Sequence, residues 1–169
     1  MQYLNKTPAS TLYWIQPELR KPIYELHSDE ELFCTLRWST YNKYDPVSVV
    51  SADGQWTFIF QWPWTVHIIS SDSNVAITKS KFQRWWWENE TVEFANGRRF
   101  YWRMNFWHTQ CTFSGEGIGN LLFFKVARFP PFKLKVRVDL AQEVKDLPES
   151  SLLAALGLYL WFRNMDFKP

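Results

Sequence analysis

Cysteine is scarce in this sequence: Cys34 and Cys111 are the only two in 169 residues. That excludes a disulfide framework and a cysteine-rich zinc site. Both lie in apolar, strand-like runs and read as buried, reduced thiols of a reducing compartment. Histidine is scarce too, and His27, His67 and His108 stand in no metal-binding or HExxH-type spacing. Neither sign of charge dominates. A net charge of +2 gives no strong case for nucleic acid or for an anionic membrane as the main partner, and leaves only a local basic patch as a route to either. No apolar run reaches the roughly 18 residues of a membrane span, and the longest covers only 152–162. The opening segment, Met1 to Pro8, lacks the apolar stretch of a secretory signal. The expectation is a cytoplasmic protein, with peripheral membrane attachment left open, and no metal or cofactor.

Aromatic residues, by contrast, are abundant. They make up 19% of the chain, with 11 Trp, 14 Phe and 7 Tyr. Broad rings pack well on pleated sheets, so this excess favours β-structure and argues against disorder. The chain from Thr11 to Leu140 reads as short strands separated by turn signals. Candidate strands lie near 12–16, 22–26, 32–39, 47–51, 55–61, 64–69, 74–81, 90–94, 99–105, 108–114, 120–126 and 132–140. In the last of these, Leu134, Val136, Val138 and Leu140 alternate with Lys133, Lys135, Arg137 and Asp139. A period of two puts the aliphatic set on a core face and the charged set in solvent. Phe100, Trp102 and Met104 alternate similarly with Tyr101 and Arg103.

Turn chemistry supports hairpins. Asp53-Gly54 and Asn96-Gly97 are pairs that suit two-residue turns with positive φ at both central positions. A weak repeat runs through them: Gly54 precedes Trp64, and Gly97 precedes Trp107, by the same interval, each Trp opening the next strand. Gly115, Gly117 and Gly119 mark another tight turn. A phosphate loop would need a helix to follow them, and none is evident.

Beyond the strands comes a different pattern. Asp146-Leu147-Pro148-Glu149 offers a helix start, with Asp146 or Leu147 near the cap and Pro148 in the first turn. The run Leu152 to Phe162 that follows has no polar face. A helix apolar all round must be enclosed by protein or lipid. It would span roughly 16 Å at 1.5 Å per residue, about half a bilayer core, which suits the inside of a barrel. A wall of a dozen strands encloses more space than its own side chains fill. The sequence therefore predicts a mainly-β protein, a closed antiparallel barrel of about 12 strands around a buried C-terminal helix. One domain covers 11–163, with an extension at 1–10, the helix at about 149–163 and a polar tail at 164–169. Tyr159 is expected to find a hydrogen-bond partner inside.

Several segments, in this order, resemble the tubby C-terminal-like superfamily. They are Leu36-Arg37-Trp38-Ser39-Thr40, Ala52-Asp53-Gly54-Gln55-Trp56-Thr57-Phe58, Val92-Glu93-Phe94-Ala95-Asn96-Gly97-Arg98 and Asn105-Phe106-Trp107. The most specific is Leu147-Pro148-Glu149 leading into Leu153-Ala154-Ala155-Leu156-Gly157-Leu158-Tyr159-Leu160. The superfamily includes tubby domains, phospholipid scramblases, LURP-one-related proteins and small prokaryotic members, and the chain is most similar in form to the last. The resemblance implies a twelve-stranded barrel around a helix. It also brings lipid into view, since tubby domains bind phosphoinositides and scramblases are proposed to act on phospholipids. The chain departs from scramblases in lacking a Cys-rich segment, and no tubby phosphoinositide pocket maps onto it residue by residue.

No catalytic constellation emerges, and Asp29-Glu30-Glu31 reads as a solvated loop. Candidate anion- or lipid-binding residues are Lys133, Lys135 and Arg137 on one strand face, with Arg98 and Arg99 beside a hairpin turn. Lys79, Lys81 and Arg84 precede a second candidate, Trp85-Trp86-Trp87. Three consecutive Trp cannot all face a core, so at least one is expected at an interface. The expected function is a non-enzymatic binding module for anionic phospholipid or a membrane-proximal partner. The alternative is a protein-interaction or scaffold subunit that uses the Trp segment, and the third reading is an enzyme whose site has no signature in the sequence.

Overall fold

The computed structural model describes residues 1–165 except 9, 30, 41, 43, 63–64, 72–75, 83–88 and 129–132. Six strands fill the first part: β1 (Thr11–Ile15), β2 (Ile23–Ser28), β3 (Glu31–Trp38), β4 (Val47–Ser51), β5 (Gly54–Gln61) and β6 (Thr65–Ser70). Six more follow: β7 (Ala76–Phe82), β8 (Asn89–Phe94), β9 (Arg99–Met104), β10 (Gln110–Gly115), β11 (Gly119–Arg128) and β12 (Lys135–Leu140). A 3-10 turn at Gln142–Asp146 leads to the helix α1 (Ser150–Asn164). The protein is thus mainly β, an antiparallel sheet with a C-terminal helix packed against it.

Each strand pairs antiparallel with its neighbours in sequence. In addition β12 pairs with β1, from Thr11 opposite Asp139 to Ile15 opposite Lys135, and this pairing closes the sheet. With β1 and β12 paired to each other, neither presents a bare edge that another chain's strand would extend. Because successive strands run in opposite directions, the connections after odd-numbered strands share one rim, here the upper. Those after even-numbered strands share the lower rim.

Burial follows the pleat. Along β12 the order is exposed, buried, exposed, buried, half-buried, buried, as the alternation of the sequence predicts. The inward rings include Trp14, Trp38, Trp102, Phe58, Phe100, Phe113 and Phe124. They share one core with α1, of which every residue from Ser150 to Arg163 is buried. This is the environment an all-apolar helix requires. Gly157 is needed for a close approach, since a Cβ there would lie 2.3 Å from Cζ of Phe124.

Three local expectations are corrected. The helix starts at Ser150, after Pro148, with Glu149 as its cap residue. Leu147 is extended at φ −95°, ψ 124°, the conformation a following proline imposes, so no helix runs through it. In the two hairpins only Gly54 and Gly97 take positive φ, while Asp53 and Asn96 do not. The glycine therefore closes each turn rather than sharing its centre. Finally, the Tyr159 hydroxyl is fully buried with no hydrogen-bond partner among the described residues. Its ring instead lies 6.1 Å from Trp38, stacked, and 5.3 Å from Phe58, edge-on.

Candidate functional site

The register around β12 assembles a basic face. Arg137 lies between Tyr13 of β1 and Lys125 of β11. Lys135 lies between Ile15 of β1 and the register position of Arg128. Lys125, Lys133, Lys135 and Arg137 are all exposed. Like charges directly opposite each other on a sheet are destabilising, and Lys125 opposite Arg137 is one such pair. Local partners balance only part of the charge. Arg137 Nε donates to Asp139 Oδ1 at 2.8 Å, and Thr11 Oγ1 donates to the same oxygen at 2.7 Å. The carboxylate, chiefly through that hydrogen bond, raises the Arg137 pKa. Lys135 Nζ sits 4.3 Å from the Tyr13 ring centroid, and Lys133 Nζ donates to the Pro17 carbonyl.

Arg98 and Arg99 are placed elsewhere, at the lower rim. Arg98 Nη1 donates to Glu149 Oε2 at 2.8 Å, and Arg99 Nη2 donates to Glu93 Oε1 at 3.3 Å. Asn96 Nδ2 also donates to Glu149. The β8–β9 turn is thereby fastened to the start of α1. A cleft of about 260 Å³ opens here between Arg98, Arg99, Glu116, Ile118 and Leu147. Three carboxylates near two guanidiniums leave this end without excess positive charge. The five cations expected from the sequence therefore form two groups at different places.

The upper rim carries exposed rings. Phe106 is 84% exposed, and Trp62 and Trp107 are each 77% exposed. Trp107 stands in the β9–β10 turn, not at the opening of a strand as its sequence context suggests. This turn is firmly built. Asn105 Oδ1 accepts from the backbone N–H of Thr109 at 2.8 Å and of Gln110 at 3.0 Å, and Asn105 Nδ2 donates to Thr109 Oγ1. His108 takes a positive φ of 55°, and its carbonyl accepts from Trp161 Nε1 of α1 at 2.8 Å. Trp85, Trp86 and Trp87, together with Arg84, lie outside the described residues. The strands they join, β7 and β8, end and begin at this same rim.

Charge differs between the rims. Arg20, Lys21, Arg37 and Arg103 are exposed toward the upper end, where Glu18 is paired with Lys21 at 2.8 Å. Toward the lower end Asp29, Glu31, Glu116, Glu143 and Asp146 are exposed. Beneath the upper rim, Arg163 of α1 forms an ion pair with Glu90 of β8, their side chains only 5% and 0% exposed. Asn164 Nδ2 donates to the same carboxylate at 3.3 Å. Burial pushes the Arg163 pKa down to about 10.

Neither thiol is poised as a nucleophile. Burial pushes the thiols of Cys34 and Cys111 far up, away from the reactive thiolate. No group of His, Cys, Asp and Glu among the described residues could hold a metal ion. No helix among them is long and apolar enough to cross a membrane. The sequence reading missed Lys125 and Arg128, which join β12 only through strand register, and it missed the exposure of Trp62, Phe106 and Trp107. The turn residues Asn105 and His108 were the available signal for the last two. Compared with protein families, curated proteins and solved structures, the chain matches none.

Proposed function

We propose that this protein is a non-enzymatic, tubby-like barrel that attaches to anionic phospholipid surfaces. One observation carries the reading: β11 and β12 set Lys125 beside Arg137 and Arg128 opposite Lys135, next to a rim with exposed rings. Each Lys or Arg near an anionic bilayer contributes about 1 kcal/mol of attraction, screened by salt. A face of several cations therefore gives reversible, salt-sensitive attachment. Arg98 and Arg99 are left out of this role because they stand at the opposite rim, among the carboxylates of Glu93, Glu116 and Glu149.

Flotation with neutral and anionic liposomes tests the proposal. The protein is expected to float with anionic vesicles at low salt and much less at physiological salt. Lys133→Glu, Lys135→Glu and Arg137→Glu together are expected to abolish flotation, whereas Arg98→Gln with Arg99→Gln leaves it unchanged. Salt-independent flotation, or none, rules the reading out. In the latter case the rim aromatics become the interface for a protein partner, the second reading that the exposure of Trp62 and Trp107 favours.

A further inference from the structure

We infer that Phe106 and Trp107 form a wedge that enters the lipid interface, so that the protein docks in one orientation with the C-terminal end of α1 toward the bilayer. This inference rests on the anionic-membrane reading above and adds an insertion site and a direction to it.

The wedge is suited to the task by shape and by stiffness. Its two rings stand 5.3 Å apart, nearly perpendicular, with most of their surface in solvent. Aromatic side chains of this kind favour the boundary between headgroups and acyl chains. The turn below them is held by Asn105 on one side and by the Trp161–His108 bond on the other. A turn already fixed in its final shape loses little conformational freedom on contact, which favours binding. Trp62, in the β5–β6 connection of the same rim, adds a second exposed ring.

Charge selects the direction. Arg103 is the last residue but one of β9, close to this turn, and Lys133 and Lys135 lie where β12 begins, also at the upper rim. The exposed carboxylates Glu116, Glu143 and Asp146 lie at the other end. An anionic surface attracts the first end and repels the second. The wedge and the cations thus face the same lipid, the rings entering while the cations stay among the headgroups.

Because both native thiols are buried, an introduced surface cysteine takes a fluorescent label selectively. The test uses the full chain with Phe106→Cys or Glu116→Cys, each carrying a polarity-sensitive dye, and vesicles of phosphatidylcholine with phosphatidylserine. The dye at 106 is expected to brighten and shift to the blue on vesicle addition, and the dye at 116 to stay unchanged. Phe106→Ser with Trp107→Ser is expected to weaken vesicle affinity by roughly tenfold or more, equivalent to the loss of two interfacial rings, without changing its salt dependence. A protein that floats while the dye at 106 remains water-like overturns the wedge and leaves the lipid reading standing. A response at 116 instead of 106 overturns the orientation. If the unmodified protein does not float, the lipid reading fails and the wedge fails with it.

Discussion

Asp53, in the β4–β5 turn, accepts a hydrogen bond from the Ser151 hydroxyl in the first turn of α1. The counterpart hairpin of the weak sequence repeat does the same work, since Asn96 and Arg98 both reach Glu149. The two Ala-(Asp/Asn)-Gly hairpins thus converge on one end of one helix. A carboxylate there also suits the positive end of the helix dipole.

Loss of this contact is measurable. Asp53→Ala is expected to lower unfolding stability by about 1–2 kcal/mol, and Asp53→Asn by less. In a double-mutant cycle with Ser151→Ala, urea denaturation is expected to give a coupling of about 1 kcal/mol. Strictly additive effects would mean that the bond contributes nothing.

Gly157 faces the Phe124 ring, with three ring atoms within 2.9 Å of where a Cβ would stand. Alanine normally favours a helix by about 1 kcal/mol over glycine. Here overpacking is expected to outweigh that gain, making Gly157→Ala destabilising by about 1–3 kcal/mol. Adding Phe124→Leu to Gly157→Ala is expected to recover part of the loss. Thermal denaturation of the single and double variants decides it, and a single variant that melts higher than the parent refutes the close packing.

The Arg163–Glu90 pair is enclosed, so removing one partner leaves the other charged in an apolar surrounding. Arg163→Ala is expected to cost about 3–5 kcal/mol. Arg163→Met combined with Glu90→Gln is expected to restore most of this, because it removes both charges together. Equal stability of the single and double variants in urea would contradict the account.

Cys34 and Cys111 hold their protons in the folded state well above the ordinary pKa of 9.0. As pH rises past 9.0, the unfolded chain loses these protons while the folded chain keeps them. Stability contributed below that pH is then lost, by up to about 1.4 kcal/mol per pH unit for each thiol. Denaturation curves from pH 8 upward are expected to show the decline, and Cys34→Ala with Cys111→Ala to flatten it. A disulfide-exchange reagent is expected to find neither thiol in the native protein and both in urea.

The strand positions were legible because the pleat imposes a period of two, most plainly from Leu134 to Leu140. So was α1, whose run from Leu152 to Phe162 has no face that tolerates water. The helix start was misplaced because Asp146 and Pro148 are good start signals taken alone, whereas Pro148 also forces Leu147 to be extended. The basic face was legible by halves. One strand reveals Lys133, Lys135 and Arg137, but Lys125 meets Arg137, and Arg128 takes the register position opposite Lys135, through a pairing that no local pattern encodes. The aromatic rim was hidden for a related reason. Phe106 and Trp107 fall between the end of β9 at Met104 and the start of β10 at Gln110, where no alternation assigns a ring to either side of the wall.

The segment at the centre of the molecule follows all the strands that surround it. During synthesis the wall therefore leaves the ribosome before the piece that fills it. The first strand must also wait for β12 before its free edge is covered. Until α1 arrives, Trp14, Trp38, Trp102 and Phe124 have only each other and water, and such surfaces aggregate. A nascent chain stopped short of Ser150 is then expected to aggregate or be degraded rather than to act as a smaller working protein.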